Sequence, residues 1–191
     1  MSSIPKQSDK LVNGLNTETL GTLAGALQQN AGSGRVRFHS DTVWTGAAQT
    51  STLLKGFTVD GQTLHNERRR FELKCDEPVE LGSHDSQAAP AEQLLHAVAS
   101  CIAATTNAYA ALSGVKLTKL DVTLECDIDL HGIFGLDENV RPGMQIINAD
   151  IHVAGDADAD TLKAIVEKGV RYSPMRDTVQ NGVTVSSSIH V

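Results

Sequence analysis

The chain has 191 residues, which is enough for one domain with a substantial core. Its hydrophobic fraction of 40% and charged fraction of 20% are typical of a globular protein, and the net charge of −7 argues against non-specific binding to nucleic acid or to an anionic membrane. No apolar stretch approaches the roughly 18 residues of a membrane span, and three widely spaced cysteines predict free thiols in a cytoplasmic protein.

The first predicted element is an amphipathic helix within residues 15–30 that starts near Asn16 or Thr17. Its apolar side chains recur at helical spacing, at Leu20, Leu23, Ala24 and Leu27. We expect residues 1–33 to form a helical arm and residues 34–191 to form the main domain.

Between Val36 and Leu73 the pattern changes to alternating and β-branched residues. This region predicts a meander of about four β-strands, with a hairpin turn at Asp60-Gly61. The basic tract at 68–70 is flanked by acidic residues and is interpreted as a solvated strand face.

A polar loop over residues 76–90 leads into the longest predicted helix, residues 90–112. Pro90 suits the first helical position, and Glu92 is favourably placed against the N-terminal dipole. Gly114 can adopt the left-handed conformation that ends a helix.

The C-terminal half carries the clearest strand, residues 117–130, in which apolar and acidic side chains alternate. A second strand at 146–153, a helix at 158–172 capped by Asp158 or Asp160, and a final strand at 182–191 follow. Because strands and helices do not alternate regularly, the fold class predicted is α+β with antiparallel sheets.

The three thiols differ in their surroundings. Strand parity predicts that Cys75 and Cys126 point into the core as structural residues. Cys101 lies in the middle of the 90–112 helix among small residues, which predicts a central helix buried on every face. A reactive Cys101 would need a positive charge from a distant segment or another subunit, because no cation follows it in the helix.

Glu92 precedes Cys101 by nine residues, which places the two side chains on opposite sides of one helix and about 13 Å apart along it. Two copies related by a twofold axis could bring the Glu92 of one near the Cys101 of the other. The structural alternative is a first-turn carboxylate that is stabilised by the helix dipole.

The stretch PAEQLLHAVASC, residues 90–101, resembles the central-helix motif P-x-E-x-L-L-x-A-x-x-x-C of the OsmC/Ohr family, the osmotically induced and organic hydroperoxide resistance proteins. Downstream, GVRYSPMRDTVQNGVTV resembles the second signature of that family, in which a Cys-Pro or Ser-Pro pair precedes the last strand. Together with the element order, the resemblance covers about residues 35–191.

This resemblance implies an OsmC-like α+β fold in an intertwined homodimer, with long central helices and active sites at the dimer interface. It implies a thiol-dependent peroxidase that reduces organic hydroperoxides, with Cys101 as the attacking thiol and Glu92 and an arginine organising it. Arg37 and Arg35 are the candidates for the arginine, and Arg171 or Arg176 could serve instead. Ser173 stands where peroxidase members have the resolving cysteine, so an external thiol reductant is expected; the alternatives are Cys75 or Cys126 after a rearrangement, or over-oxidation of Cys101.

The same fold also allows a second function, a non-catalytic protein that binds an apolar small molecule in a pocket at the dimer interface; Ser173 favours this alternative. His96 is interpreted as a dimer-contact or core-edge residue. No metal site is proposed for His84, Asp85 and His131, because no second ligand pair has metal spacing. No cofactor is expected, and neither a nucleic acid nor a membrane is an expected partner.

Overall fold

The structure is a computed structural model that describes residues 11–64 and 69–191. Arg68 of the basic tract lies outside these ranges. The chain divides into two compact units: unit 1 contains Leu95–Val191 with the residues up to Glu18, and unit 2 contains Thr19–Leu94.

The described residues form ten strands and five α-helices. The strands are β1 (Leu11–Val12), β2 (Leu15–Asn16), β3 (Val36–Arg37), β4 (Ser40–Gly46), β5 (Gln49–Leu54), β6 (Phe57–Val59), β7 (Gln62–Leu64), β8 (Phe71–Cys75), β9 (Leu117–Cys126) and β10 (Ile147–Gly155). The helices are α1 (Thr17–Gln29), α2 (Pro90–Leu112), α3 (Leu130–Ile133), α4 (Ala159–Arg171) and α5 (Pro174–Asn181). All strand pairs are antiparallel, which confirms the predicted α+β class.

Unit 2 contains two three-stranded sheets, in the orders β3-β6-β7 and β4-β5-β8. The prediction of about four strands is wrong, because the run over residues 42–54 folds back at Ala47, whose φ of 44° permits a tight turn between β4 and β5. The predicted hairpin turn is confirmed: Asp60 and Gly61 have φ values of 49° and 84° between β6 and β7.

The N-terminal helix is confirmed as α1, but the short β1-β2 hairpin before it was not predicted. Its signal is the Asn13-Gly14 pair, a strong hairpin sequence whose two residues both have positive φ. The side chain of Asn13 donates to the carbonyl of Val115 at 2.9 Å and accepts from the amide of Leu117 at 2.9 Å. These hydrogen bonds attach the hairpin to the segment that joins α2 to β9.

Unit 1 is built from α2, α4 and the antiparallel pair β9-β10. The predicted strands at 117–130 and 146–153 are confirmed, although β9 ends at Cys126. Asp158 caps α4 by accepting from the amide of Thr161 at 2.9 Å, as the sequence predicts. Gly114 has a φ of 74° just after α2, which confirms the predicted helix end.

The core of unit 1 lies where α4 packs on the C-terminal half of α2. Its buried members are Ala110, Val115, Leu162 and Ile165. One turn further along each helix, Gly169 faces Thr106 so closely that a Cβ at Gly169 would lie 2.6 Å from the Cα of Thr106. Both residues are buried, so this contact sets the distance between the two helices.

Only one side of α2 is buried in the protomer. The buried residues are Val98, Ile102, Thr106, Ala110 and Ala111. Leu94, Ser100 and Ala104 are exposed. The prediction that α2 is buried on every face is therefore wrong for the single chain, because α4 and the β9-β10 pair cover one stripe of it.

The sheet β4-β5-β8 leaves an apolar face uncovered. The register places Phe71, Leu73 and Cys75 on one face with Leu54 and Trp44. Trp44 is 73% exposed and Phe71 is 51% exposed. Cys75 shares its face with Phe71 and Leu73, as strand parity predicts, but that face is not a core within this chain.

The predicted final strand is absent: α5 ends at Asn181, and residues 183–191 are exposed and adopt no regular structure. A strand forms only where another strand can pair with it, and no strand within residues 11–64 and 69–191 pairs with this segment. Within the described ranges, no helix has the length and apolarity to cross a bilayer.

We predict that Gly169→Ala destabilises the protein by about 1–3 kcal/mol, because the added methyl group overpacks the contact with Thr106. Thermal unfolding followed by circular dichroism measures the effect. The matched control is Gly25→Ala in α1, where a Cβ meets nothing within 4 Å and alanine favours the helix by up to about 1 kcal/mol. A melting temperature for Gly169→Ala equal to that of the wild type would contradict the tight contact.

Candidate active site

Cys101 lies half-buried in the middle of the 23-residue helix α2. The helical repeat places it about 90° around the axis from the buried stripe of Val98 and Ile102. Its carbonyl accepts from the Thr105 hydroxyl at 2.7 Å, while no described residue makes a hydrogen bond with its Sγ. The thiol is therefore at the margin of the protomer's core, partly open to an approaching molecule.

Glu92 has a structural partner at the start of α2. Its Oε2 accepts from the amide of Ala89 at 2.8 Å, which is half of a capping box and satisfies a backbone donor that precedes the helix. This contact supports the structural alternative for Glu92. Within one α2 helix the carboxylate and the Cys101 thiol remain on opposite sides, as the sequence predicts.

Asp76 anchors the loop that leads to this helix start, and the sequence did not single it out. The residue is fully buried, and its carboxylate accepts from the hydroxyls of Ser83 and Ser86, the amides of Ser86 and Glu77, and the side chain of Gln49. The Ser83 hydroxyl, followed by the other donors, holds the pKa of Asp76 well below its usual range. The sequence signal for this hydrogen-bond network is weak: an aspartate followed by two serines within residues 76–86.

Arg37 lies on β3 in unit 2, where it is exposed and its backbone pairs with Thr58. The start of this strand is held by Asp60, whose carboxylate accepts from the amides of Gly34 and Arg35, each at 2.9 Å. These two bonds lower the pKa of Asp60. Arg35 and Arg37 border the same cavity of about 490 Å³.

Ser173 is fully buried and caps α5, with its Oγ accepting from the amide of Arg176 at 3.4 Å. Pro174 follows at the first helical position, an arrangement that suits the start of a helix. The Arg171 guanidinium lies 5.4 Å from the centre of the Tyr172 ring, and Arg176 borders a different cavity from Arg37.

Two of the histidines singled out from the sequence, His96 and His131, have local partners. His96 lies on the exposed side of α2, with its Nδ1 3.3 Å from the Ser100 hydroxyl. His131 pairs with Asp129, which also caps α3, and the backbone amide of His131 is the main cause of the lowered pKa of Asp129.

Residues 83–188 match the family model for OsmC-like proteins, and this match includes the Cys101 helix and Ser173. Because the matched region covers more than half of the chain, the protein belongs to the OsmC-like family. A comparison with curated protein sequences finds no match.

Solved structures of the family share the fold. An OsmC-like protein from Mycoplasma pneumoniae aligns with 75% of this chain and 87% of its own, with a TM-score of 0.57 and 16% identity. A candidate osmotic stress induced and detoxification response protein from Psychrobacter arcticus aligns with 73% of this chain and 85% of its own, with a TM-score of 0.54 and 14% identity. An organic hydroperoxide resistance protein OsmC from Legionella pneumophila aligns with 76% of this chain and 90% of its own, with a TM-score of 0.49 and 14% identity.

We predict that Asp76→Asn lowers the melting temperature at pH 7, because the amide replaces a carboxylate that accepts five hydrogen bonds. The folded-state pKa is below the unfolded value, so the stabilisation by Asp76 is present above about pH 4 and is lost as the pH falls towards the folded-state pKa. The difference between wild type and variant should therefore shrink on acidification.

Thermal unfolding between pH 3 and pH 7 measures this difference. Asp85→Asn, in the same loop, is the control and should change stability little at any pH. A destabilisation by Asp76→Asn that stays constant over the whole pH range would show that the Asp76 charge has no part in it.

Proposed function

We propose that the protein is a thiol-dependent peroxidase that reduces organic hydroperoxides through Cys101. The observation that carries the proposal is the position of the thiol: it occupies the cysteine of the family's central-helix motif, half-buried beside the core and free of a hydrogen-bond partner among the described residues. Cys75 and Cys126 are also free thiols, but they lie on strands outside the motif.

In the proposed reaction the Cys101 thiolate attacks the terminal oxygen of the hydroperoxide, and the O–O bond breaks. The sulfur is oxidised to a sulfenic acid and the hydroperoxide leaves as the alcohol, after its alkoxide takes a proton. An external thiol then condenses with the sulfenic acid, which releases water and forms a mixed disulfide. A second external thiol completes the cycle by releasing Cys101 and a disulfide.

The external thiol is required because Ser173 cannot form a disulfide. Ser173 is instead committed to capping α5, and its side chain is fully buried. The cycle therefore suits the cytoplasm, where small thiols are abundant and cysteines stay reduced.

We infer that the functional unit is a homodimer. Two surfaces support this: the face of β4-β5-β8 that carries the exposed Trp44 and Phe71, and the open side of α2, where Leu94 and Ala104 lie among polar residues such as Ser100. Large apolar patches on a protomer are typical of association surfaces. A twofold dimer would place Arg37 and Glu92 of one protomer at the Cys101 of the other, and the guanidinium would stabilise the thiolate.

A second candidate function is favoured by Ser173, which replaces a cysteine and caps α5. In this case the protein binds an apolar small molecule at the dimer interface without redox chemistry. In that case Cys101 only lines the site. The two candidates differ in whether Cys101 is selectively oxidised by a hydroperoxide.

We predict that the purified protein consumes cumene hydroperoxide in the presence of dithiothreitol, and that Cys101→Ser abolishes the consumption because it removes the attacking sulfur. Loss of peroxide measured over time gives the rate. Cys75→Ser is the matched control, a free thiol outside the motif, and should retain the wild-type rate.

Mass spectrometry after dimedone trapping completes the test. Selective labelling of Cys101 supports the peroxidase, whereas equal inertness of wild type and Cys101→Ser, with no labelled Cys101, would favour the binding protein.

A further inference from the structure

A second cavity lies wholly within unit 1, apart from the Cys101 side of α2. Its volume is about 620 Å³, within the range of small-molecule sites. Cys101 does not line it. The buried side chains of Val98 and Ile102 form one wall, and β9, β10, α4, α5 and the loop over residues 141–146 provide the others.

Apolar residues are the larger part of the lining of this cavity, beside the uncharged polar residues Gln145, Gln180 and Asn181. Beyond the α2 wall it includes Leu124, Met144, Ile146, Ile147, Val170 and Val179. Such a surface binds hydrocarbon, because the water it holds is released when apolar atoms replace it.

The charged side chains that line the cavity are all positive. Arg141 and Arg176 line it, and no aspartate or glutamate does. Neither guanidinium forms an ion pair with a described residue. Arg176 is partly buried at the first turn of α5, and its backbone amide is held by Ser173, so its side chain starts from a fixed point.

Two guanidinium groups beside an apolar cavity match a ligand with one anionic end and a hydrocarbon body. The planar guanidinium pairs with a carboxylate through two parallel hydrogen bonds, which makes a carboxylate the best-fitting head group. We propose that this cavity binds an aliphatic carboxylic acid, with its carboxylate at Arg141 and Arg176 and its chain along Val98 and Ile102. This proposal does not depend on the reactivity of Cys101.

The test measures binding of dodecanoate and of 1-dodecanol by isothermal titration calorimetry. We expect dodecanoate to bind at one site per chain and the uncharged alcohol to bind more weakly. Arg141→Gln and Arg176→Gln should each weaken dodecanoate binding by roughly 10- to 100-fold, the usual value of a charge-assisted hydrogen bond, and leave the alcohol unaffected. Arg171→Gln, an exposed arginine that does not line the cavity, is the control.

Two further variants locate the site. Val179→Trp should fill the cavity and abolish binding of both compounds, and Cys101→Ser should bind dodecanoate as the wild type does. Equal affinity for the acid and the alcohol, or equal weakening by Arg171→Gln and Arg176→Gln, would overturn the proposal. Loss of peroxide consumption in Cys101→Ser with retained dodecanoate binding would separate the cavity from the proposed peroxidase reaction.

Discussion

The close packing of α4 on α2, through Gly169 against Thr106, is the contact on which the arrangement of unit 1 depends. This contact buries one stripe of α2. The rest of the helix, which consists mostly of small and apolar residues, is open to solvent. Cys101 lies at the border between the two, which explains why its thiol is neither sealed in the core nor fully exposed. A bulkier residue at position 169 would move α4 outward from α2.

The second constraint is electrostatic. A thiolate at Cys101 needs a nearby positive charge, and the dipole at the start of α2 lies about three turns away, too far to supply it. No arginine or lysine occurs in α2 itself. The charge must therefore come from another segment, and in the proposed dimer we assign that role to Arg37, which is exposed in unit 2.

The sequence predicts the elements of unit 1 well, because β9 and β10 alternate regularly and α2 and α4 carry clear start and stop residues. Prediction from the sequence fails where the pairing of strands decides the structure. The residues after Gly182 have a strand pattern, but none of the described strands pairs with them. Strand parity alone could not show that Phe71 and Leu73, on the same face as Cys75, are exposed. The Asp76 network could not be predicted from the sequence, because its donors come from strand β5 and from the loop over residues 77–86, which meet only in the folded chain.

We propose that Arg37 of one protomer lies beside Cys101 of the other. The most direct test replaces Arg37 with cysteine in a protein that also carries Cys75→Ser and Cys126→Ser, oxidises it mildly and separates the chains on a non-reducing gel. The expected product is a disulfide-linked dimer that disappears with Cys101→Ser, and no dimer is expected for Val36→Cys, whose side chain points to the opposite face of β3. Monomers for Arg37→Cys, or equal cross-linking by Val36→Cys, would contradict it.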